Sequence, residues 1–134
     1  AMKPQELANL LWAHARARER LHAGAVARAG LAAVRAFKPQ ELSNALWASA
    51  TLELHDRELL HAAVQEVTLK SSELHPRDAS NNAWAFAVLA VGDVPVWRAL
   101  AREAVQKIRG FKPQDVANHA WAFATALQRD PPPD

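Results

Sequence analysis

Four asparagines, Asn9, Asn44, Asn81 and Asn118, recur 35, 37 and 37 residues apart. An asparagine amide both donates and accepts hydrogen bonds. A row of them can bond a neighbouring segment of the chain, or it can meet the backbone or base edges of a nucleic acid. Both readings stand, because burying Asn without a partner is costly. An asparagine that is the same in every unit cannot discriminate between bases. Discrimination would fall to positions that vary: Leu10, Ala45, Asn82 and His119 after each asparagine, and Gln5, Gln40, Arg77 and Gln114 in the turn before it. One-base-per-repeat readers carry their code on such a polar, variable stripe. An ordinary solvated helix face accounts for it equally well. Leu10 and Ala45 cannot read a base by hydrogen bonding.

The basic residues offer a second chemistry. Lys3, Lys38 and Lys112 stand immediately before a recurrent proline, with His75 in the third slot, and Arg16, Arg18 and Arg20 cluster after the first unit's helix. A recurrent cation along one edge would follow a phosphate backbone. Glu6, Glu41, Asp78 and Asp115 lie a few residues on and partly cancel that field. Lone surface lysines are a sufficient alternative. Catalysis and metal binding find no foothold. The six histidines form no i, i+4 pair, no HExxH stretch is present, and four glycines build no phosphate loop or nucleophile elbow. No catalytic residue, metal ligand or cofactor is expected.

The elements that must position these residues follow from the same period. Pro4, Pro39, Pro76 and Pro113 keep the asparagine spacing, and so do Trp12, Trp47, Trp84 and Trp121. A period near 37 suits one helix–turn–helix unit, which must stack on copies of itself to bury its apolar face. Each proline suits the first turn of a helix A, where its missing N–H costs nothing and an acid favours the helix dipole. Met2, Phe37, Leu74 and Phe111 precede the prolines by two residues. Leu7, Leu42, Ala79 and Val116 follow them by three, the spacing of a hydrophobic staple. Helix A is expected over 4–17, 39–52, 76–90 and 113–127. Asp56 and Asp93 are expected to cap helix B, and Glu19 stands at the corresponding place in the first unit. Within Leu-Trp-Ala or Ala-Trp-Ala, the four tryptophans read as core residues at the contacts between units, in preference to base-stacking platforms.

The fold expected is all-α: an α-solenoid of seven helices in one segment, 1–134. Its units cover 2–36, 37–73, 74–110 and a partial 111–134 that stops before its second helix, as a piece of a longer chain would. Thirty alanines, no tyrosine and few glycines favour close-packed helices. Zero cysteines exclude disulfides and thiolate metal sites. A net charge of +2 permits an acidic partner without demanding one. The longest apolar run, residues 83–91, is far too short to cross a membrane, and no targeting peptide is visible.

The helix A sequences KPQELANLLWA, KPQELSNALWA, HPRDASNNAWA and KPQDVANHAWA, with the turns GDVPVW and RDPPPD, resemble the octotricopeptide repeat family. Pro95 and Trp97, and the run Pro131, Pro132 and Pro133, match parts of that family's PPPEW-like motif. The first two units have Glu19-Arg20-Leu21 and Asp56-Arg57-Glu58 there instead. The chain is also similar to the heptatricopeptide and RAP-associated repeats. The resemblance covers essentially the whole chain. It implies an α-solenoid that binds single-stranded or ribosomal RNA in mitochondria or chloroplasts and acts in organellar gene expression, some similar arrays being parts of organellar ribosomes. The alternative it leaves is a scaffold that holds neighbouring proteins in a large organellar complex without touching RNA.

Overall fold

The computed structural model describes residues 3–17, 29–30 and 33–129. Six α-helices and no strand occur among them. They are α1 (Pro4–Ala17), α2 (Pro39–Thr51), α3 (Arg57–Lys70), α4 (Pro76–Val88), α5 (Val94–Lys107) and α6 (Pro113–Arg129). Of the seventh helix expected, helix B of the first unit, only Ala29, Gly30 and Ala33 are described, each helical; Glu19 lies outside the described residues.

Local chemistry sets the helix starts. Proline opens α1, α2, α4 and α6. The acid two residues on folds back to accept the N–H of the residue before the proline. Lys3 donates to Glu6 Oε1 (3.2 Å), Lys38 to Glu41 Oε1 (2.8 Å) and Lys112 to Asp115 Oδ2 (2.9 Å), and the Asp78 carboxyl takes the backbone N–H of His75. One donor that the helix cannot satisfy internally is thereby satisfied. Asp56 and Asp93 cap α3 and α5 as their positions predict, accepting from Leu59 N (3.0 Å) and Val96 N (2.9 Å).

Helices α2 and α4 end one and two residues before the expected limits, and α6 runs two residues beyond. The early stops have a backbone cause. Glu53 and Ala90 adopt left-handed φ of 54° and 58°. Around them Glu53 N bonds Ala50 O and Leu54 N bonds Ser49 O, with the same pair recurring from Ala90 to Ala87 and from Val91 to Phe86. This is the double bond of a Schellman closure, formed here without the usual glycine.

The helices lie in two layers. α1 packs on α2, α2 on α4 and α4 on α6, while α3 packs on α5 and each of these two touches the helix before it. Phe86, Leu42, Leu74, Leu100, Val67 and Val96 fill the space between the layers. Phe37, Leu42, Leu74 and Ala79, the staple residues of the second and third units, are buried in this core; Val116 of the fourth is 46 % exposed.

Charge-assisted clamps tie successive B segments. Lys70 Nζ donates to the carbonyls of Arg35 (3.0 Å) and Phe37 (2.8 Å) and pairs with Glu66 at 3.0 Å. Thirty-seven residues later Lys107 Nζ donates to Ser72 O and Leu74 O and pairs with Glu103 at 2.9 Å. Each lysine thus reaches the short 3-10 turn that ends the preceding B segment and the extended residue after it. No helix among the described residues is long and apolar enough to cross a membrane.

Candidate functional site

Gln40, Asn44 and Trp47 are spaced i, i+4, i+7 and so share one face of α2. Arg77, Asn81 and Trp84 repeat the spacing on α4, and Gln114, Asn118 and Trp121 on α6. Packing α1, α2, α4 and α6 side by side turns these faces into one groove of about 550 Å³. Trp12, Gln40, Asn44, Trp47, Arg77, Asp78, Asn81, Gln114, Asp115 and Asn118 line it. Ser80 helps set its register: its buried hydroxyl donates to Asp115 O at 2.9 Å, bringing the first turns of α4 and α6 together.

The lining is rich in amides. Gln114 Nε2 donates to Asn118 Oδ1 at 3.0 Å, which orders that pair and leaves the Asn118 amide hydrogens and the Gln114 carbonyl for other partners. Charge in the groove is mixed: one guanidinium, Arg77, against two carboxylates, Asp78 and Asp115. Burial pushes the Asp78 carboxyl above its ordinary range, and His75 and Arg77 pull it back down. The groove therefore offers hydrogen-bond donors and acceptors and indole faces, with little positive charge of its own.

Of the sequence-derived candidates, Asn44, Asn81, Asn118, Gln40, Arg77 and Gln114 converge in the groove. Asn9 is exposed on α1 outside its lining. Lys3, Lys38 and Lys112 are exposed at the helix starts, also outside the lining, with their backbone N–H groups engaged by the capping acids. In sequence Lys38 and Lys112 stand two residues before Gln40 and Gln114 of the lining.

Two expectations need correction. Asn82 and His119 do not belong to a readable face. One residue turns a helix by roughly 100°, so with Asn81 and Asn118 toward the groove the next residue turns inward. Asn82 is 0 % exposed, and neither amide atom has a hydrogen-bond partner among the described residues. The His119 ring lies 4.6 Å from Phe123 and 5.6 Å from Phe111 between centroids, with both ring nitrogens buried. Burial lowers the His119 pKa and keeps the ring neutral.

The tryptophans are the second correction. Expected in the core, Trp12 and Trp121 are 42 % and 48 % exposed, whereas Trp47 and Trp84, half-buried, do pack against buried residues, so the expectation fails for the first pair and holds in part for the second. Trp12 and Trp47 line the groove. The i+3 step from asparagine to tryptophan was the signal that could have placed them there; apolar neighbours such as Leu46 and Ala83, which are buried, masked it.

No protein-family sequence pattern matches this chain, and no curated protein sequence matches it.

Proposed function

We propose that the groove binds single-stranded RNA, with bases inside it and phosphates along the row of helix starts. The observation that carries this reading is the convergence of equivalent amides, Asn44, Asn81 and Asn118, with indole faces from Trp12 and Trp47 in one trough. Amides bond the edges of unstacked bases, and indoles stack on their faces whatever the sequence. The mixed charge of the lining disfavours phosphate inside, whereas exposed Lys3, Lys38 and Lys112 suit it at the edge. Repetition of the same asparagine makes the binding largely sequence-tolerant.

The recurring caps, Schellman ends and lysine clamps support a stacked α-solenoid as the architecture of the whole array. With the octotricopeptide-like sequence, they favour a role in organellar gene expression, in a mitochondrion or chloroplast, as a free RNA binder or as a part of an organellar ribosome that also meets neighbouring proteins. No catalytic role, metal or cofactor enters this reading.

Fluorescence anisotropy with unstructured single-stranded RNA tests it. Trp47→Ala should weaken binding roughly 5- to 100-fold, since base–aromatic stacking contributes roughly 1–3 kcal/mol. Asn81→Ala should weaken it too. Lys38→Glu and Lys112→Glu should weaken all strands alike and flatten the salt dependence. Duplex RNA, whose base edges are hidden, should bind less tightly than single strands. Binding unmoved by the groove substitutions, or absent altogether, would transfer the groove to a protein partner.

A further inference from the structure

Resting on the RNA reading of the groove, we propose that its third unit selects guanine, through the guanidinium of Arg77. The groove is built from near-equivalent units, and the first position of the asparagine face is where they differ in kind. It is glutamine on α2 and α6, Gln40 and Gln114, and arginine on α4. Arg77 is the one cation among the residues lining the groove, and it makes no hydrogen bond or ion pair with another described residue. Its charge acts on the neighbouring Asp78 carboxyl, but its N–H groups bond no other described residue.

A guanidinium presents two parallel N–H groups in a rigid fork. On the Hoogsteen edge guanine alone among the four bases offers a matching pair of acceptors, O6 and N7; cytosine's pair, O2 and N3, lies on its Watson–Crick edge beside a donor amino group. In a splayed single strand that edge is accessible. A phosphate oxygen is the competing partner for Arg77. Asp78, its neighbour in sequence, and Asp115, which also lines the groove, repel a phosphate. Phosphate has exposed lysines at the helix starts instead, Lys38 and Lys112. Trp47, on the neighbouring α2 wall, supplies an aromatic face for stacking, and Asn81 lies one turn beyond Arg77 on the same face.

The glutamines do not imitate this. A primary amide has one acceptor and one donor pair, which suits adenine's N7 and amino group better than guanine's two acceptors. Gln114 has already given one of its amide hydrogens to Asn118.

The test uses the full chain and short unstructured RNA made of adenosine and cytidine, with one guanosine placed at each position in turn. Anisotropy is read as the ratio of affinities with and without guanosine. In at least one register the ratio should be roughly 5- to 100-fold, the range a bidentate side chain–base pair supplies. Replacing that guanosine by 7-deazaguanosine, which lacks the N7 acceptor, should return the affinity toward that of the guanosine-free strand. Arg77→Gln, which makes the third unit like its neighbours, should collapse the ratio toward one.

Other results separate the failures. A ratio near one with the unaltered protein overturns the guanine inference and leaves the RNA reading standing. A ratio that survives Arg77→Gln, while all strands weaken together and the salt slope falls by about one, makes Arg77 a phosphate contact and overturns it as well. Failure of every single strand to bind removes the RNA reading and this inference with it. Circular dichroism of the Arg77→Gln protein guards against a folding artefact, and the deaza substitution leaves the protein untouched.

Discussion

Helices α4 and α6 carry nearly the same message, Asp-Ala-Ser-Asn-Asn-Ala-Trp-Ala-Phe-Ala and Asp-Val-Ala-Asn-His-Ala-Trp-Ala-Phe-Ala, and live in different surroundings. On α4, Phe86, Ala79 and Ala83 are fully buried. On α6 the corresponding Phe123 is half-buried, and Val116 and Ala120 are exposed. α4 is wedged between α2 and α6 and touched by α5; α6 packs on α4 and receives the edge of Trp97 on Phe123 at 4.9 Å. The motif therefore fixes which way a residue points along the helix, while the number of flanking helices fixes whether it is buried. Stability should concentrate in the second and third units, and the groove face, which is the same on both helices, should contribute little to it.

The comparison is most exposed at the phenylalanines. Phe86→Ala should cost about 3–5 kcal/mol in urea denaturation, as removal of a buried large side chain does, and Phe123→Ala markedly less. Equal losses would show that α6 is as well covered as α4. The clamps come next. Lys107→Met removes bonds to two carbonyls and strands Glu103, whose side chain is 5 % exposed. A loss of about 2 kcal/mol is expected, the partly exposed ammonium being screened by solvent. Lys70→Met should match it, because its geometry is the same one unit earlier.

A pair of glycine substitutions separates the helix ends. Ala90 sits in the left-handed closure of α4, whereas Leu127, at the same register, lies within α6. Ala90→Gly should stabilise by about 1 kcal/mol by removing the Cβ strain of that conformation. Leu127→Gly should destabilise by about 1 kcal/mol, because glycine is costly inside a helix. The same sign for both would mean that the two ends do not differ.

The smallest effect is with pH, and again it separates the two helices. His119 on α6 titrates; its counterpart Asn82 on α4 does not. Because burial lowers the His119 pKa from 6.5, the unfolded chain takes up a proton before the folded one does. Stability from this residue is thus present above about pH 6.5 and declines as the pH falls from there toward the lower folded pKa. His119→Leu should flatten that part of the stability curve.

Much of this was legible in the residues themselves, because it depends on neighbours a few positions away. Pro39 and Pro76 mark helix starts by having no N–H to lose, Asp56 and Asp93 mark caps by the reach of a short carboxylate, and the 37-residue spacing of the prolines marks where helices begin. The asparagine row was visible for the same reason. The rest depended on contacts between segments far apart in sequence. Lys70 and Lys107 find carbonyls 33 and 35 residues back, which no local pattern encodes. Asn82 and His119 look like code positions until the packed layer turns them inward, and the tryptophans look like core until side-by-side helices leave Trp12 and Trp47 on a shared groove. Sequence determined the face on which each residue stands, since helix geometry is local. Tertiary structure alone decided which faces met another helix and which met solvent, since burial belongs to the pair of surfaces and not to either one.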